Sequence, residues 1–245
     1  MRFEGLATDY DGTIAWHGEV MAETEAALQR LKEFGRKVIL VTGREMHELK
    51  LVCPCLPLFD LIVAENGGLL HWPESGRERL LTREPPEELV DCLRRRGVTP
   101  LTVGRSIIAT QEIYSGVIQE VLDELECRYH AIPNKGALMI LPSDVDKRSG
   151  LLAALEELNL QPDRIAGVGD AENDWAFLEI CGCSAAVANA LPSLKKLVRI
   201  LLRDGHGSGV EELIERMISN DLNDLPPKMS QAEIFSTEAM AGKGG

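Results

Sequence analysis

Aromatic residues are scarce in this chain, at 4% of 245 residues, whereas 44% are hydrophobic. A buried core built from it must therefore be mostly aliphatic. Positive charge is short as well. With 26 Lys and Arg against 39 Asp and Glu, the formal charge is −13, which argues against nucleic acid or an anionic membrane as the main partner, since both demand a basic excess. An anionic small substrate stays compatible if positive charge gathers locally. No apolar run approaches the ~18 residues of a membrane span, and Met1-Arg2-Phe3-Glu4 opens no signal-peptide hydrophobic region. The chain reads as soluble and cytoplasmic. Its six cysteines, without a secretory signal, are expected to stay reduced. Cys53-Pro54-Cys55 and Cys181-Gly182-Cys183 carry one intervening residue where structural zinc sites have about two to four, so small apolar side chains near helix ends are expected there.

What the chain does have is Asp9-Tyr10-Asp11-Gly12-Thr13, directly after the apolar run over 3–8. Read as a buried parallel strand, residues 3–9 put Asp9 at a carboxyl end, where open α/β sheets hold their ligands. Asp11 points to the same side, because side chains of extended backbone repeat with a period of two, and Gly12 lets the chain turn. Two carboxylates a few ångströms apart repel by about 3 kcal/mol at an effective dielectric of about 20. A hard divalent cation with oxygen ligands, Mg²⁺ above all, is the natural counter-charge. The pair then suits phosphoryl chemistry, with one carboxylate as nucleophile and the other as general acid for the leaving oxygen. The same five residues could equally form a turn that caps a helix, since Asp and Gly are ordinary turn formers.

Periodicity organises the rest. Residues 22–34 have helical apolar spacing with Gly35 as a stop. A β-branched strand over 37–41 ends in Thr42-Gly43-Arg44; a helix over 45–52 and a strand over 61–64 follow, the latter ending at Glu65-Asn66-Gly67-Gly68. Such alternation implies parallel βαβ units whose polar strand ends gather on one sheet edge. After about residue 83 the pattern changes: a helix over 85–96, strands over 98–103 and 106–110, a helix over 114–127, strands over 129–132 and 137–141. This repeated helix-strand-strand unit predicts a small antiparallel sheet with helices on one face. Arg94-Arg95-Arg96 reads as a solvated helix end. The first pattern then resumes, with helices over 149–158, 175–180, 191–198 and 210–218 and strands over 165–168, 185–188 and 200–202. The expected fold is α/β, a doubly wound parallel sheet over 1–83 and 144–220 with an inserted α+β domain over 84–143 and a flexible tail over 221–245.

Four polar loops converge on one edge of that sheet. Asp9-Tyr10-Asp11-Gly12-Thr13, Val41-Thr42-Gly43-Arg44, Asp146-Lys147 and Gly169-Asp170 with Asn173-Asp174 resemble, in order and spacing, the motifs of haloacid-dehalogenase-superfamily phosphatases. The likeness is to the Cof-like subclass IIB, with a Rossmann-like core and an inserted αββαββ cap of the C2B type, and it covers about residues 3–218.

Each residue also has a physical role of its own. Asp9 suits a nucleophile that forms an aspartyl-phosphate for water to hydrolyse, as the resemblance also implies. Asp11 would protonate the leaving alkoxide and then deprotonate water; the resemblance implies that its backbone carbonyl is the part that ligates metal. Asp170, and Asp174 one helical turn on, would complete a Mg²⁺ set with Asp9 and Asp11. Thr42, through its hydroxyl and backbone N–H, together with Gly43 and Lys147, would bind phosphoryl oxygens, with Asn173 orienting Asp9 or Lys147. The alternatives are a turn or cap for Thr42 and Asn173, and a surface salt bridge to Asp144 or Asp146 for Lys147. Tyr10 stands where the family has an apolar residue, and can pack its ring with the hydroxyl at the pocket rim. Arg148 stands where a small residue is common. Arg44, Asn66, Arg105 and Lys135 are the candidates to meet the rest of an anionic substrate. The reading is a Mg²⁺-dependent phosphatase for a small phosphorylated metabolite, a sugar phosphate or a phosphoglycolate-like acid. A sugar phosphomutase or phosphotransferase of the same subclass and a catalytically quiet binding module are the alternatives.

Overall fold

The computed structural model describes residues 1–134 and 136–225. Lys135 and the 226–245 part of the expected tail thus lie outside the described residues.

Aliphatic runs with no polar face are stable as strands only when both sides are covered, and the main sheet provides this. Every residue of Gly5–Thr8, Leu61–Ala64 and Ile165–Gly169 is buried. The eight strands lie in the order Ile200–Leu201, Cys183–Ala186, Ile165–Gly169, Gly5–Thr8, Lys37–Val41, Leu61–Ala64, Leu69–Trp72, Arg77–Leu80. The first six pair in parallel, the expected doubly wound α/β arrangement. The last two add an antiparallel hairpin at the edge that periodicity did not reveal. Arg77–Leu80 is an edge strand with alternate residues exposed, so its composition reads as polar loop. Cys183–Ala186 begins two residues before the expected 185–188, and of the expected strand over 98–103 only Thr102–Val103 pairs.

Helix Lys147–Leu158 starts two residues earlier than its apolar spacing suggests, and the cause is local. Asp146 caps it: the Ser149 N–H donates to Asp146 Oδ1 at 2.8 Å and the Asp146 N–H donates to Ser149 Oγ at 3.0 Å, a reciprocal capping box. The cap places Lys147 in the first turn, beside the carboxyl ends of the parallel strands.

A second, antiparallel sheet has the order Tyr129–Asn134, Ala137–Pro142, Ile108–Gln111, Thr102–Val103. Helices Glu87–Arg95 and Ser115–Glu124 supply Leu89, Leu93, Ile118 and Val121 to a core of its own with Ile108 and Ile140. Ile107, Met139, Leu141 and Val145 form a separate small cluster. Beyond helix His206–Asn220 the chain stays packed where the pattern placed a tail. Asp221 and Leu222 take left-handed backbone, which turns the chain back on itself. Asp221 accepts from the N–H groups of Arg2 and Phe3 and from Arg36, and Leu222 is fully buried. Among the described residues no helix is long and apolar enough to cross a membrane.

Candidate active site

Asp9 directly follows strand Gly5–Thr8, and its N–H donates to the Val168 carbonyl at 3.1 Å. That bond ties together the two strand ends that carry Asp9 and Asp170. Carboxylate oxygens of Asp9, Asp170 and Asp174 lie within 4.8 Å of one another, all three residues buried. Asp174 is held by its own turn: Oδ2 accepts the N–H groups of Asp170 at 2.8 Å and Ala171 at 2.9 Å. Its Oδ1 is left for Lys147, whose ammonium donates to Asp174 and to Asp9 Oδ1, each at 2.6 Å. The Lys147 side chain is 1% exposed, so the alternative of a surface salt bridge to Asp144 or Asp146 is not what the fold builds. Thr13, to which the sequence reading gave no role, donates its hydroxyl to Asp9 Oδ2 at 3.2 Å. The signal that could have found it is its place in the same five-residue stretch.

When all are ionised, three carboxylates and one ammonium leave an excess of two negative charges in a buried site. Burial, then the Asp174 carboxylate, push the Asp9 carboxyl up to about 7 against the pull of Lys147. Burial lowers the affinity of Lys147 for its proton, but Asp174 and Asp9 outweigh it and hold the ammonium above the ordinary lysine range. A compact, all-oxygen donor set lacking two positive charges fits a hard divalent cation.

Asp11 does not join this cluster through its side chain. Its carboxylate takes two hydrogen bonds from Arg44, Nε to Oδ2 at 2.6 Å and Nη2 to Oδ1 at 2.7 Å. The Arg44 guanidinium lies 5.4 Å from the Tyr10 ring centre. Tyr10 itself is fully buried and its hydroxyl donates to the Gly18 carbonyl at 2.8 Å, beneath the small hairpin of Ala15–Trp16 and Glu19–Val20, not at a pocket rim.

Thr42 is buried at the end of strand Lys37–Val41, but its backbone N–H is committed to the Val63 carbonyl at 2.8 Å, so only the hydroxyl is available to a ligand. That oxygen already accepts the Arg44 N–H at 3.1 Å. Asn173 orients neither Asp9 nor Lys147; its Nδ2 donates to Asn66 Oδ1 at 3.3 Å. The pairing leaves Asn66 Nδ2 and Asn173 Oδ1 buried without a partner, polar atoms whose desolvation is otherwise uncompensated.

A cavity of about 170 Å³ opens above these groups, lined by Asp9, Asp11, Gly43, Arg44, Glu45, Glu48, Asp170, Ala171 and Asn173 from the main-sheet side and by Thr102, Ile107, Ala109 and Met139 from the second sheet. Arg44 is the one basic side chain in that lining. Arg105 is absent from it: its Nη1 donates to Glu78 Oε2 at 3.1 Å on the edge hairpin. Its side chain lies on the outer side of the turn that joins Thr102–Val103 to Ile108–Gln111. Cys53, Cys55, Cys181 and Cys183 are all buried in the main core.

The model of the haloacid dehalogenase-like hydrolases matches residues 6–120 and 97–214. Among known proteins, phosphoglycolate phosphatase 2 of Saccharolobus solfataricus is 29% identical over 231 residues, spanning 88% of this chain and 93% of its own. The phosphoglycolate phosphatase of Methanothermobacter thermautotrophicus is 28% identical, over 87% of this chain and 98% of its own. Of solved structures, a haloacid dehalogenase-like hydrolase from Bacteroides thetaiotaomicron superposes with a TM-score of 0.73 at 20% identity, covering 88% of this chain and 99% of that one.

Proposed function

This chain belongs to the haloacid dehalogenase-like hydrolases, and we propose that it is a Mg²⁺-dependent phosphomonoesterase acting on a small phosphorylated acid through an aspartyl-phosphate on Asp9. The observation that carries the proposal is the buried cluster of Asp9, Asp170 and Asp174, in which Lys147 pairs with Asp9 and Asp174 while Asp9 and Asp170 reach the cavity wall.

Asp9, Asp170 and Asp174 would hold the cation, which when bound supplies counter-charge for the carboxylates and for the phosphoryl oxygens. Its positive charge also favours the ionised form of Asp9, which the nucleophile requires. Lys147 and Thr13 fix the Asp9 carboxylate from both of its oxygens, so one oxygen meets phosphorus from a set direction. The Thr42 hydroxyl and the unpaired Asn66 Nδ2 are donors for the phosphoryl oxygens as charge spreads over them. Asp11, on the cavity wall, would protonate the leaving oxygen and then take a proton from the water that hydrolyses the acyl phosphate.

The cavity walls favour one substrate class. Beyond the cluster the lining has one cation, Arg44, beside Asp11, Glu45 and Glu48, and a mostly apolar side made by Ile107, Ala109 and Met139 with Thr102. A guanidinium with a two-pronged carboxylate partner already in place suits exchange of the Asp11 carboxylate for one on the substrate. A compact phosphorylated carboxylic acid such as phosphoglycolate fits these walls better than a hexose phosphate, whose many hydroxyls would face apolar side chains. Phosphate release should be measured over a panel of phosphomonoesters with Mg²⁺ and with chelator. The expectation is Mg²⁺-dependent release with the highest kcat/KM for phosphorylated acids of two or three carbons. No phosphate from any member, or an isomeric sugar phosphate as the product, would sink the proposal.

A further inference from the structure

Glu65 is a fully buried carboxylate that the chemistry above does not use. It follows strand Leu61–Ala64 and, like Asn66 after it, holds left-handed backbone with φ 54°. Non-glycine residues adopt that conformation rarely, and keep it where their surroundings over-determine it. The side chain reaches across to the second sheet. Its Oε2 accepts the Ser106 N–H at 2.6 Å and the Ser106 hydroxyl at 2.8 Å, and its Oε1 accepts the Arg105 N–H at 3.2 Å. Gly68 of the same loop lies so near that a Cβ there would stand 2.0 Å from Ser106 Oγ. On the outer side of the turn, Arg105 meets Glu78.

The turn gripped in this way joins Thr102–Val103 to Ile108–Gln111, and Thr102, Ile107 and Ala109 on its flanks are cavity wall. A buried carboxylate is costly unless donors compensate it, and all three of these donors come from the second sheet's turn. Glu65 is satisfied only while that turn is seated.

We infer that Glu65 is the main sheet's latch on the inserted unit, a positioning residue whose carboxylate sets the seat of residues 104–106 and thereby the walls that decide which ester tails the cavity admits. Only the kinetic arm of its test rests on the proposed phosphatase activity.

Two variants approach the latch from opposite sides. Glu65→Gln replaces one of two acceptors by a donor, so either Arg105 or Ser106 loses its partner; Ser106→Ala removes the hydroxyl alone. In hydrogen exchange of the full chain, amides over 102–107 should exchange about tenfold faster in Glu65→Gln, less so in Ser106→Ala, and less than additively in the double variant. Amides of Lys37–Val41 and Ile165–Gly169 should keep their rates. In turnover with Mg²⁺, the ratio of kcat/KM for phosphoglycolate to that for the bulkier p-nitrophenyl phosphate should fall about tenfold in Glu65→Gln, chiefly through KM for phosphoglycolate. A merely structural role would slow both esters alike. Unchanged exchange over 102–107 in both variants, or faster exchange spreading through the main sheet, overturns the latch. If the wild-type protein hydrolyses neither ester, the phosphatase proposal fails while exchange still decides the role of Glu65.

Discussion

Replacing Lys147 by Met keeps much of the side-chain volume and removes one charge from a buried site. Asp9 and Asp174 would each lose a 2.6 Å partner while still facing each other and Asp170 across no more than 4.8 Å. At an effective dielectric of about 20, ionised carboxylates at that separation repel by about 3.5 kcal/mol per pair, the same order as the roughly 3–5 kcal/mol measured when one partner of a buried ion pair is deleted. The two figures describe one loss, not two. For a chain of this length each kcal/mol lowers Tm by about 2–4 °C, so the metal-free variant at pH 8 should melt roughly 6–20 °C below the wild type. Thermal unfolding followed by circular dichroism in chelator reads this directly. At pH 5 the gap should narrow, because the Asp9 carboxyl, pushed up to about 7, is then largely neutral and needs less counter-charge. Added Mg²⁺ should raise the Tm of the variant more than that of the wild type. A variant within about 2 °C of the wild type in chelator at pH 8 would refute the electrostatic account of the site.

The remaining predictions concern Asp9. Asp9→Asn should lower turnover with Mg²⁺ by at least ~10⁴-fold, since the nucleophile is gone, and steady-state phosphate release checks it; retained activity would remove Asp9 from the mechanism. The same variant tests pH linkage. The folded carboxyl, at about 7, lies above its ordinary 3.8, so the folded state binds more protons between those values. Its contribution to stability is full below about pH 4 and is lost as pH rises to about 7. In chelator, the Tm of wild type minus that of Asp9→Asn should therefore become more negative from pH 5 to pH 8, and saturating Mg²⁺ should reverse the trend; a flat difference would count against the shift.

The parts of this fold that were legible in the amino-acid order are those in which one physical signal dominates. Lys37–Val41 and Leu61–Ala64 match their expected bounds residue for residue, because all but the exposed Lys37 are apolar side chains buried in the sheet. Asp9 and Asp170 were legible because each directly follows a strand's carboxyl end, and Asp174 because it stands one helical turn after Asp170. The losses have a common cause, namely that hydrogen-bond destinations are tertiary facts. Nothing local says that the Thr42 N–H goes to Val63, that Asn173 turns to Asn66, or that Arg105 swings outward to Glu78. Glu65 was hidden for the same reason. An acidic residue before Asn-Gly-Gly reads as a turn, and only the approach of Ser106 from 41 residues away makes it a buried acceptor.

Gly67 touches helix Lys147–Leu158 so closely that a Cβ on it would fall 1.9 Å from the Asp146 carbonyl oxygen, and one on Gly150 would fall 2.5 Å from the Gly67 Cα. Main chain thus rests on main chain at the seam between the segment that precedes the insertion and the one that follows it, with no side chain between them to repack. The spacing between the main chain of the Gly67 loop and that of the first turn of helix Lys147–Leu158 is therefore set by atomic radii. On the proposed function, the segment before the second sheet and the helix after it would keep their contact whatever the second sheet admits to the cavity.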